Sequence, residues 1–199
     1  MNRTMTRRSI LAFVCAGFAA CTPAAAQDPH HGHGHAAPPM PTELVAVLSP
    51  ASGSQAHGTT RFYSDKDGVR VVVDIEGLTP NQLHAIHVHE FGDCTAPDAA
   101  SAGSHYNPEG HPHALPTTSP RHAGDLGNLQ ADAAGKAHYE IKVQNMTTAG
   151  AMNPVLGHAV IVHAKQDDGG QPVGNAGGRI ACGVIGIAKP TAAPAPSGK

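Results

Sequence analysis

The feature that most constrains the fold is a series of short apolar runs separated by turn-forming residues. Between residues 43 and 188, runs rich in valine, isoleucine and leucine alternate with turns, and the chain contains 23 glycines and 17 prolines. This composition favours many short strands over long helices. The segments predicted as strands are 44–48, 59–63, 69–75, 83–90, 125–130, 137–143, 158–165 and 179–187. About eight strands in this rhythm predict an all-β fold, either an antiparallel sandwich or a barrel.

One long segment interrupts this rhythm. Residues 94–123 show no strand pattern, and a loop of that length in a compact domain is usually functional or disordered. A disordered loop would not need so many metal-binding side chains. Imidazole suits zinc and copper, and a carboxylate beside three histidines suits four-coordinate zinc. The candidate ligands in or just after the loop are His105, His111, His113, His122 and Asp125.

Two predicted strands add further histidines. In HVHEFGDC, residues 87–94, strand alternation points His87 and His89 to one face and Val88 to the other. Two imidazoles on one face resemble half of a metal site. His158 and His163 lie five residues apart on a later strand and hence on opposite faces, so one of them is not expected to be a ligand.

The beginning of the chain predicts an export signal. Residues 1–26 combine a positive start, an apolar stretch too short to span a bilayer and small residues at the expected cleavage site. The pair Arg7 and Arg8 leaves both the Sec and the twin-arginine route open, and a lipoprotein-like box leaves open a lipid anchor at Cys21.

The remaining chain divides into an arm, a domain and a tail. Residues 27–42 predict a disordered arm whose histidines either capture copper, zinc or nickel or form a passive solvated segment. Residues 43–188 predict one domain, and residues 189–199 predict a flexible tail. The histidines of the arm are His30, His31, His33 and His35.

Net charge and cysteine content limit the kinds of partner and the cellular compartment expected for this protein. The net charge is only −2, which gives no indication of a nucleic-acid partner. If the leader is removed after Ala26, Cys94 and Cys182 are the only thiols, and an oxidising compartment then favours one disulfide. A disulfide that closes so long a loop stabilises the fold by about 4–5 kcal/mol in the simplest entropy model.

Five motifs, in this order, resemble the Cu/Zn superoxide dismutase family: HVHEFGDC, HYNPEGHPH, RHAGDLGN, GHAVIVHA and GNAGGRIACGVIGIAK. The resemblance covers residues 43–188, and the insertion before His105 and the leader resemble the family's bacterial periplasmic branch. It implies an eight-stranded antiparallel Greek-key barrel or sandwich, immunoglobulin-like, with a long metal-binding loop. It also implies that Cys94 and Cys182 form the disulfide.

The resemblance implies roles for particular residues. His105 is implied to be shared by both metals, which requires it to become an imidazolate. Arg179 is implied to lie beside the open copper position, and Asp167 to hydrogen-bond one copper histidine and one zinc histidine, His87 and His113. The implied copper ligands are His87, His89, His105 and His163, and the implied zinc ligands are His105, His113, His122 and Asp125.

The implied activity is dismutation of superoxide to oxygen and hydrogen peroxide by a redox-cycling copper supported by zinc. The implied location is the bacterial periplasm, without a membrane span, as a monomer or a homodimer. Two other interpretations are an exported copper or zinc buffer and an interaction domain on the same scaffold. A buffer fits the arm but has no need of Arg179 or of a shared His105.

Other histidines have simpler interpretations. His111 competes with His113 for zinc, but the eight-residue step from His105 favours His113. His84 faces the opposite side of its strand from His87 and is predicted to be a hydrogen-bonded structural residue. His57, His138 and His158 are predicted to be ordinary surface or packing residues. The lysines considered for steering superoxide are Lys136, Lys142 and Lys165.

Overall fold

The computed structural model describes residues 39–191. All eight predicted strands are present there, five of them with bounds that differ by one or two residues from the prediction. The all-β prediction is therefore confirmed. The strands are β1 (Glu43–Pro50), β2 (His57–Asp65), β3 (Gly68–Glu76), β4 (Leu83–His89), β5 (Asp125–Gln130), β6 (Ala137–Val143), β7 (Ala159–His163) and β8 (Arg179–Ile187), and a short 3-10 helix spans Ala100–Ala102.

The strands form one antiparallel sheet in the order β5-β4-β7-β8-β1-β2-β3-β6. β3 pairs with β6 and β4 pairs with β7, so that β3 and β4, and likewise β6 and β7, follow each other in the chain without being neighbours in the sheet, as in a Greek key. The hydroxyl of Tyr139 on β6 donates to the carbonyl of Leu126 on β5, 2.7 Å away, and joins the two ends of the sheet. The result is a nearly closed eight-stranded barrel.

Alternation along each strand fills the barrel with aliphatic side chains. The cluster inside includes Leu44, Phe62, Val71, Ile86 and Ile185, all essentially buried. Burying such a side chain contributes about 1.5–3 kcal/mol each, so the interior holds the strands in register. The outward faces of β4 and β7, which lie under the loops, can therefore carry polar side chains.

Two β-bulges lie next to the histidines. On β5, Leu126 and Gly127 together oppose Ile86, and Gly127 has a φ of 88°, which favours glycine. This bulge places Asp125 opposite His87. Bulges bend a strand and redirect its side chains, so the histidines face side chains from neighbouring strands.

The second bulge is on β8, where Ile180 is the extra residue, and it places Arg179 opposite His163. The predicted disulfide is present and joins Cys94 to Cys182, with Cα atoms 5.8 Å apart. It ties the long loop to β8, three residues beyond Arg179. No helix among residues 39–191 is long and apolar enough to cross a membrane.

Candidate metal centre

Four buried histidines meet on the outer face of the barrel. β4 contributes His87 and His89, the end of β7 contributes His163, and the long loop contributes His105, which forms an isolated bridge with His89. One ligand atom from each of the four lies within 4.8 Å of the others. The sequence thus brings together side chains that are up to 76 positions apart, namely His87 to His163.

Each ring of this group is oriented through one nitrogen, and its other nitrogen faces the group. His89 Nδ1 lies 3.0 Å from the carbonyl oxygen of Gly103, and His163 Nδ1 lies 3.4 Å from that of Gly177. The Nε2 atoms of these two histidines are 3.4 Å apart. His87 is bound through Nε2, and its Nδ1 is buried with no hydrogen-bond partner among the described residues. A metal ion would satisfy these nitrogens, and imidazole donors suit copper.

A second group forms around one oxygen of Asp125. The Nδ1 atoms of His105, His113 and His122 lie 3.1, 3.0 and 3.2 Å from Asp125 Oδ1, and those of His105 and His122 lie 3.4 Å apart. A tetrahedral site with bonds of about 2.0 Å has edges of about 3.3 Å. The donor set and its spacing therefore fit zinc.

His105 belongs to both groups. Its Nδ1 faces Asp125, which leaves Nε2 for the group that contains His87, His89 and His163. His87 also has a ligand atom within 4.8 Å of the Asp125 group. Its Nε2 is engaged by Asp167, however, so we place His87 with the four histidines and His122 with Asp125.

Asp167 contacts one ring from each group. Its two carboxylate oxygens lie 2.8 Å from His87 Nε2 and 2.9 Å from His113 Nε2. Asn128 holds the backbone of Asp167 through two hydrogen bonds, and the amide of Gly169 donates to the carboxylate. Such partners fix the orientation of ligand rings. Asp167 is itself fully buried, and it therefore links the position of one ring in each group to that of the other.

Burial and hydrogen bonding set the charges of these residues. Burial lowers the pKa of His87 to about 4 and that of His163 to about 3, so both rings are neutral at pH 7. Burial alone would raise the pKa of Asp125, but hydrogen bonds from His105 and His113 hold it well below its usual value. Neutral imidazoles and an ionised carboxylate are the forms that bind metal ions.

His113 differs from the other rings in its charge. Burial alone would lower its pKa, but hydrogen bonds to Asp125 and Asp167 raise it to about 9. In the metal-free protein, His113 is therefore protonated between two carboxylates. A bound cation would take the place of one of its protons.

Arg179 borders the open side of the four-histidine group. Its Nη1 donates to the carbonyl of Ala99 and its Nη2 to that of Gly103, each at 2.6 Å. Gly103 thus accepts from both Arg179 and His89. A cavity of about 440 Å³ lies between them, and its lining includes His89, His105, His163, Val173 and Arg179. An anion that enters this cavity meets a permanent positive charge beside the histidines.

Several histidines lie outside both groups. His111 is partly exposed and lies 3.6 Å from Glu109. His57 and His138 are exposed and pair with Glu76 and Asp74. His158 is half-buried, and its Nδ1 lies 2.7 Å from the carbonyl of Glu90.

The three lysines differ in position. Lys136 pairs with Glu76 and Lys142 with Asp65, whereas the stem of Lys165 packs along Gly177, which lines the cavity. The predicted signal peptide, Cys21, the histidines of the predicted arm and residues 192–199 of the predicted tail lie outside the described residues.

Sequence reasoning missed the groups that orient the rings. The carbonyls of Gly103 and Gly177 and the side chain of Asn128 had no signal as site residues, because every residue has a carbonyl and Asn128 resembles an ordinary strand residue. Asn128 does lie three positions after Asp125, within the motif RHAGDLGN. Its place in that motif is the one indication in the sequence that Asn128 belongs to the site.

Comparison with known proteins gives a consistent result. Residues 56–185 match the family model for copper/zinc superoxide dismutase. The extracellular Cu-Zn superoxide dismutase of Brugia pahangi is 42% identical over 153 residues, covering 72% of this chain and 75% of the relative. The Cu-Zn superoxide dismutase of Onchocerca volvulus is 41% identical over 160 residues, covering 74% and 98%. That of Paramecium bursaria Chlorella virus 1 is 44% identical over 156 residues, covering 75% and 80%.

A solved structure agrees with these matches. The crystal structure of the clock protein EA4 is similar to this chain with a TM-score of 0.70 and 38% identity, covering 77% of this chain and 99% of that protein. The disulfide and the extracellular relative indicate an exported protein. Fold, ligand geometry and sequence similarity agree: the chain belongs to the copper/zinc superoxide dismutase family and is an enzyme that dismutates superoxide with copper and zinc.

Proposed function

We propose that the two groups are the copper and zinc sites of this superoxide dismutase. The observation that carries the assignment is that one histidine, His105, belongs to both. A mononuclear site or a simple buffer has no use for a shared ring. The proposed copper ligands are His87, His89, His105 and His163, and the proposed zinc ligands are His105, His113, His122 and Asp125.

The bound copper supplies one-electron oxidation and reduction, while zinc has a filled d shell and does not change oxidation state. The overall reaction converts two superoxide anions and two protons into oxygen and hydrogen peroxide. Two half-reactions are therefore needed, one that releases an electron from superoxide and one that returns it to a second superoxide. The protein must bind a small anion twice and deliver protons in the second half only.

His105 is proposed to carry one of these protons at Nε2. The ring takes up a proton there once the first superoxide has become oxygen, while Nδ1 stays beside Asp125. It donates that proton when the second superoxide is reduced, and water supplies the other. Because Asp125 fixes Nδ1, only Nε2 is free to change its protonation.

Arg179 is proposed to bind the anion. Its guanidinium is always charged, and its contacts with Ala99 and Gly103 hold it at the edge of the cavity. A charge in a partly enclosed cleft attracts anions over a distance and holds them by charge-assisted hydrogen bonds. The proposed task of Arg179 is thus both attraction and positioning.

The experiment that tests the assignment is metal analysis with activity on the protein from Gln27 onward. We expect about one copper and one zinc per chain and activity that needs copper. His163→Ala should lose copper and keep zinc. Full copper occupancy in that variant would overturn the assignment of His163.

The alternative is an exported copper or zinc buffer on the same scaffold. The arm histidines fit that role, and the ordered placement of Arg179 over the four-histidine group favours the enzyme. Metal bound at both sites without turnover would establish the buffer. We also propose that the arm, residues 27–42, captures metal; its deletion should leave fully loaded enzyme active but slow copper uptake when copper is scarce.

Location and assembly complete the proposal. We propose that residues 1–26 are a signal peptide that directs the protein to a bacterial periplasm; mass spectrometry of the exported protein tests the cleavage site and lipidation of Cys21. We further propose a homodimer, because Val47 and Val184 lie opposite each other on β1 and β8 and are exposed, as are Ile187 and Phe91. Light scattering tests it, and a monomer at all concentrations would contradict it.

A further inference from the structure

A second cavity, of about 300 Å³, borders the long loop outside both metal groups. Its lining includes Glu109 and His111 from the loop and Asn145, which follows β6. Neither metal group uses any of these three side chains. Together they offer an imidazole nitrogen, a carboxylate oxygen and an amide oxygen. Calcium and magnesium prefer oxygen ligands alone, whereas zinc accepts nitrogen and oxygen together, so the donor set favours zinc.

The loop does not need the His111 ring for its own conformation. The side chain of Asn107 holds the backbone of His111 at both ends, because its Nδ2 donates to the carbonyl of His111 at 2.9 Å and its Oδ1 accepts from the amide at 3.0 Å. The side chain of His111 is 35% exposed, and no packing requirement fixes it as a histidine. The ring is therefore available for another task.

The distance between the ring and the neighbouring carboxylate fits a shared cation. His111 Nε2 lies 3.6 Å from Glu109 Oε2, which is too long for a hydrogen bond. Two ligand atoms bound to one tetrahedral zinc ion at about 2.0 Å lie about 3.3 Å apart. A small rotation of either side chain would let one ion bind both atoms.

Asn145 supplies an oxygen that lacks a partner. Asn153 joins this residue to the carboxylate, because its Nδ2 donates to Glu109 Oε2 at 3.1 Å and to the backbone carbonyl of Asn145 at 2.9 Å. The side-chain Oδ1 of Asn145 is buried and has no hydrogen-bond partner within residues 39–191. Burying an unsatisfied oxygen is unfavourable, and a cation beside Glu109 would satisfy it.

We propose that Glu109, His111 and Asn145 form an auxiliary zinc site. Its protein ligands are His111 Nε2, Glu109 Oε2 and Asn145 Oδ1, and water completes the coordination. The site goes beyond the proposed copper and zinc groups and does not depend on their assignment. Arg121 also lines the cavity, and its charge opposes a cation there, so this site should bind zinc more weakly than the group around Asp125 does.

The test measures a further zinc ion in protein whose copper and zinc groups are already loaded. Calorimetric titration with zinc should show one further ion per chain. His111→Ala should abolish its binding, Glu109→Gln should weaken it at least tenfold, and Asn145→Asp should tighten it, because a charged oxygen replaces a neutral one. His138→Ala is the matched control, since this exposed histidine also pairs with a carboxylate, that of Asp74, and should leave the titration unchanged. All proteins carry alanine in place of the arm histidines, namely His30, His31, His33 and His35.

Three results would overturn the proposal: no further zinc ion at millimolar concentration, a further ion retained by His111→Ala, or equal loss in His138→Ala. If a variant does not fold, the unsubstituted site carries the test. In the diamagnetic Cu(I) and zinc form, added zinc should shift the ring resonances of His111 and leave those of His138 in place; the reverse would refute the site. Loss of zinc from the Asp125 group in His111→Ala would instead show that His111 replaces His113 there, which overturns this site and that ligand assignment together.

Discussion

The two metal groups share His105 but are built in different ways. In the proposed copper group, backbone carbonyls of Gly103 and Gly177 orient two of the rings, and the group borders the cavity under Arg179. In the proposed zinc group, a single oxygen of Asp125 gathers three Nδ1 atoms, so that four ligands face one point; the members of both groups are buried. The first is open to a small anion, whereas the second is closed, as structural zinc sites are.

This difference shows how one fold supports both redox chemistry and rigidity. The open group depends on loop carbonyls that the disulfide and Arg179 help to hold. The closed group depends on charge, since the carboxylates of Asp125 and Asp167 lie on the two sides of the His113 ring. Changes in the two groups should therefore separate copper-dependent from zinc-dependent properties.

The largest effect is expected from removing one ligand of each group. His163→Ala should lose copper and reduce activity by more than about a hundredfold, because losing a ligand exceeds the 10–100-fold effect of losing its hydrogen-bond partner. His122→Ala should lose zinc and keep copper. Elemental analysis with superoxide-consumption assays measures both. Loss of the same metal from both variants would show that the two groups are not separate sites.

Asp167→Asn should weaken both groups at once. Asp167 binds His87 and His113, so we expect copper and zinc affinities each to fall by about 10–100-fold. Competition with chelators measures the two affinities. Asp168→Asn is the matched control, because Asp168 is exposed and its carboxylate accepts from Gly170 and Asn175, away from both metal groups. A change in one affinity alone would contradict the coupling by Asp167.

Arg179→Ala should slow turnover without loss of the metal ion from the four-histidine group. Turnover should slow by about tenfold, and its dependence on ionic strength should weaken, because the charge beside the cavity is lost. The turnover of Arg179→Lys should lie between that of the wild type and that of Arg179→Ala. Lysine keeps the charge but lacks the planar guanidinium that reaches both Ala99 and Gly103. Stopped-flow kinetics over a salt series measures these effects; identical kinetics in all three proteins would refute the steering role.

Lys165→Ala should have a smaller effect of the same kind. Lys165 packs along Gly177 at the cavity, so its removal should slow turnover about twofold to threefold at low ionic strength. Lys142→Ala removes the same charge from a site where Asp65 already neutralises it, and should have no effect. Equal rates in the two variants would exclude a specific contribution from Lys165.

Glu43→Gln should change stability and leave both groups intact. Burial alone would raise the pKa of Glu43, but hydrogen bonds from Thr191 and Arg61 hold it below its ordinary value of 4.5. The lowered folded-state pKa stabilises the protein above pH 4.5, and this contribution is lost as the pH falls through the folded value. We expect the variant to be less stable by about 1–3 kcal/mol at pH 7, and by less below pH 4. Urea denaturation at both pH values measures this; a constant difference would contradict the assignment.

The strands were predictable because their signal is local. Alternation of apolar residues placed between five and nine residues of each strand correctly, and it put His87 and His89 on the face opposite Ile86 and Val88. The same alternation assigned His84 to the inner face as a hydrogen-bonded residue, where the structure has it. Local patterns therefore predicted which segments are strands and which face of a strand each side chain occupies.

The contacts between distant segments were not predictable from local patterns. Nothing in the sequence shows that Ile180 is an extra residue on β8 or that Arg179 lies opposite His163. The carbonyl partners of the rings depend on loop paths, and the partner of His84 is 79 positions away. Only the resemblance to a known family supplied the grouping of ligands, and it carried no information on these backbone contacts.

The most direct test of the central claim, that His105 is shared, is EPR of protein with copper in one group and either zinc or cobalt in the other. A shared imidazolate couples the two ions magnetically. Copper with zinc should give a normal Cu(II) signal, and copper with Co(II) should lose most of that signal. A Cu(II) signal of full intensity beside bound Co(II) would show that no ring joins the two sites and would contradict the account.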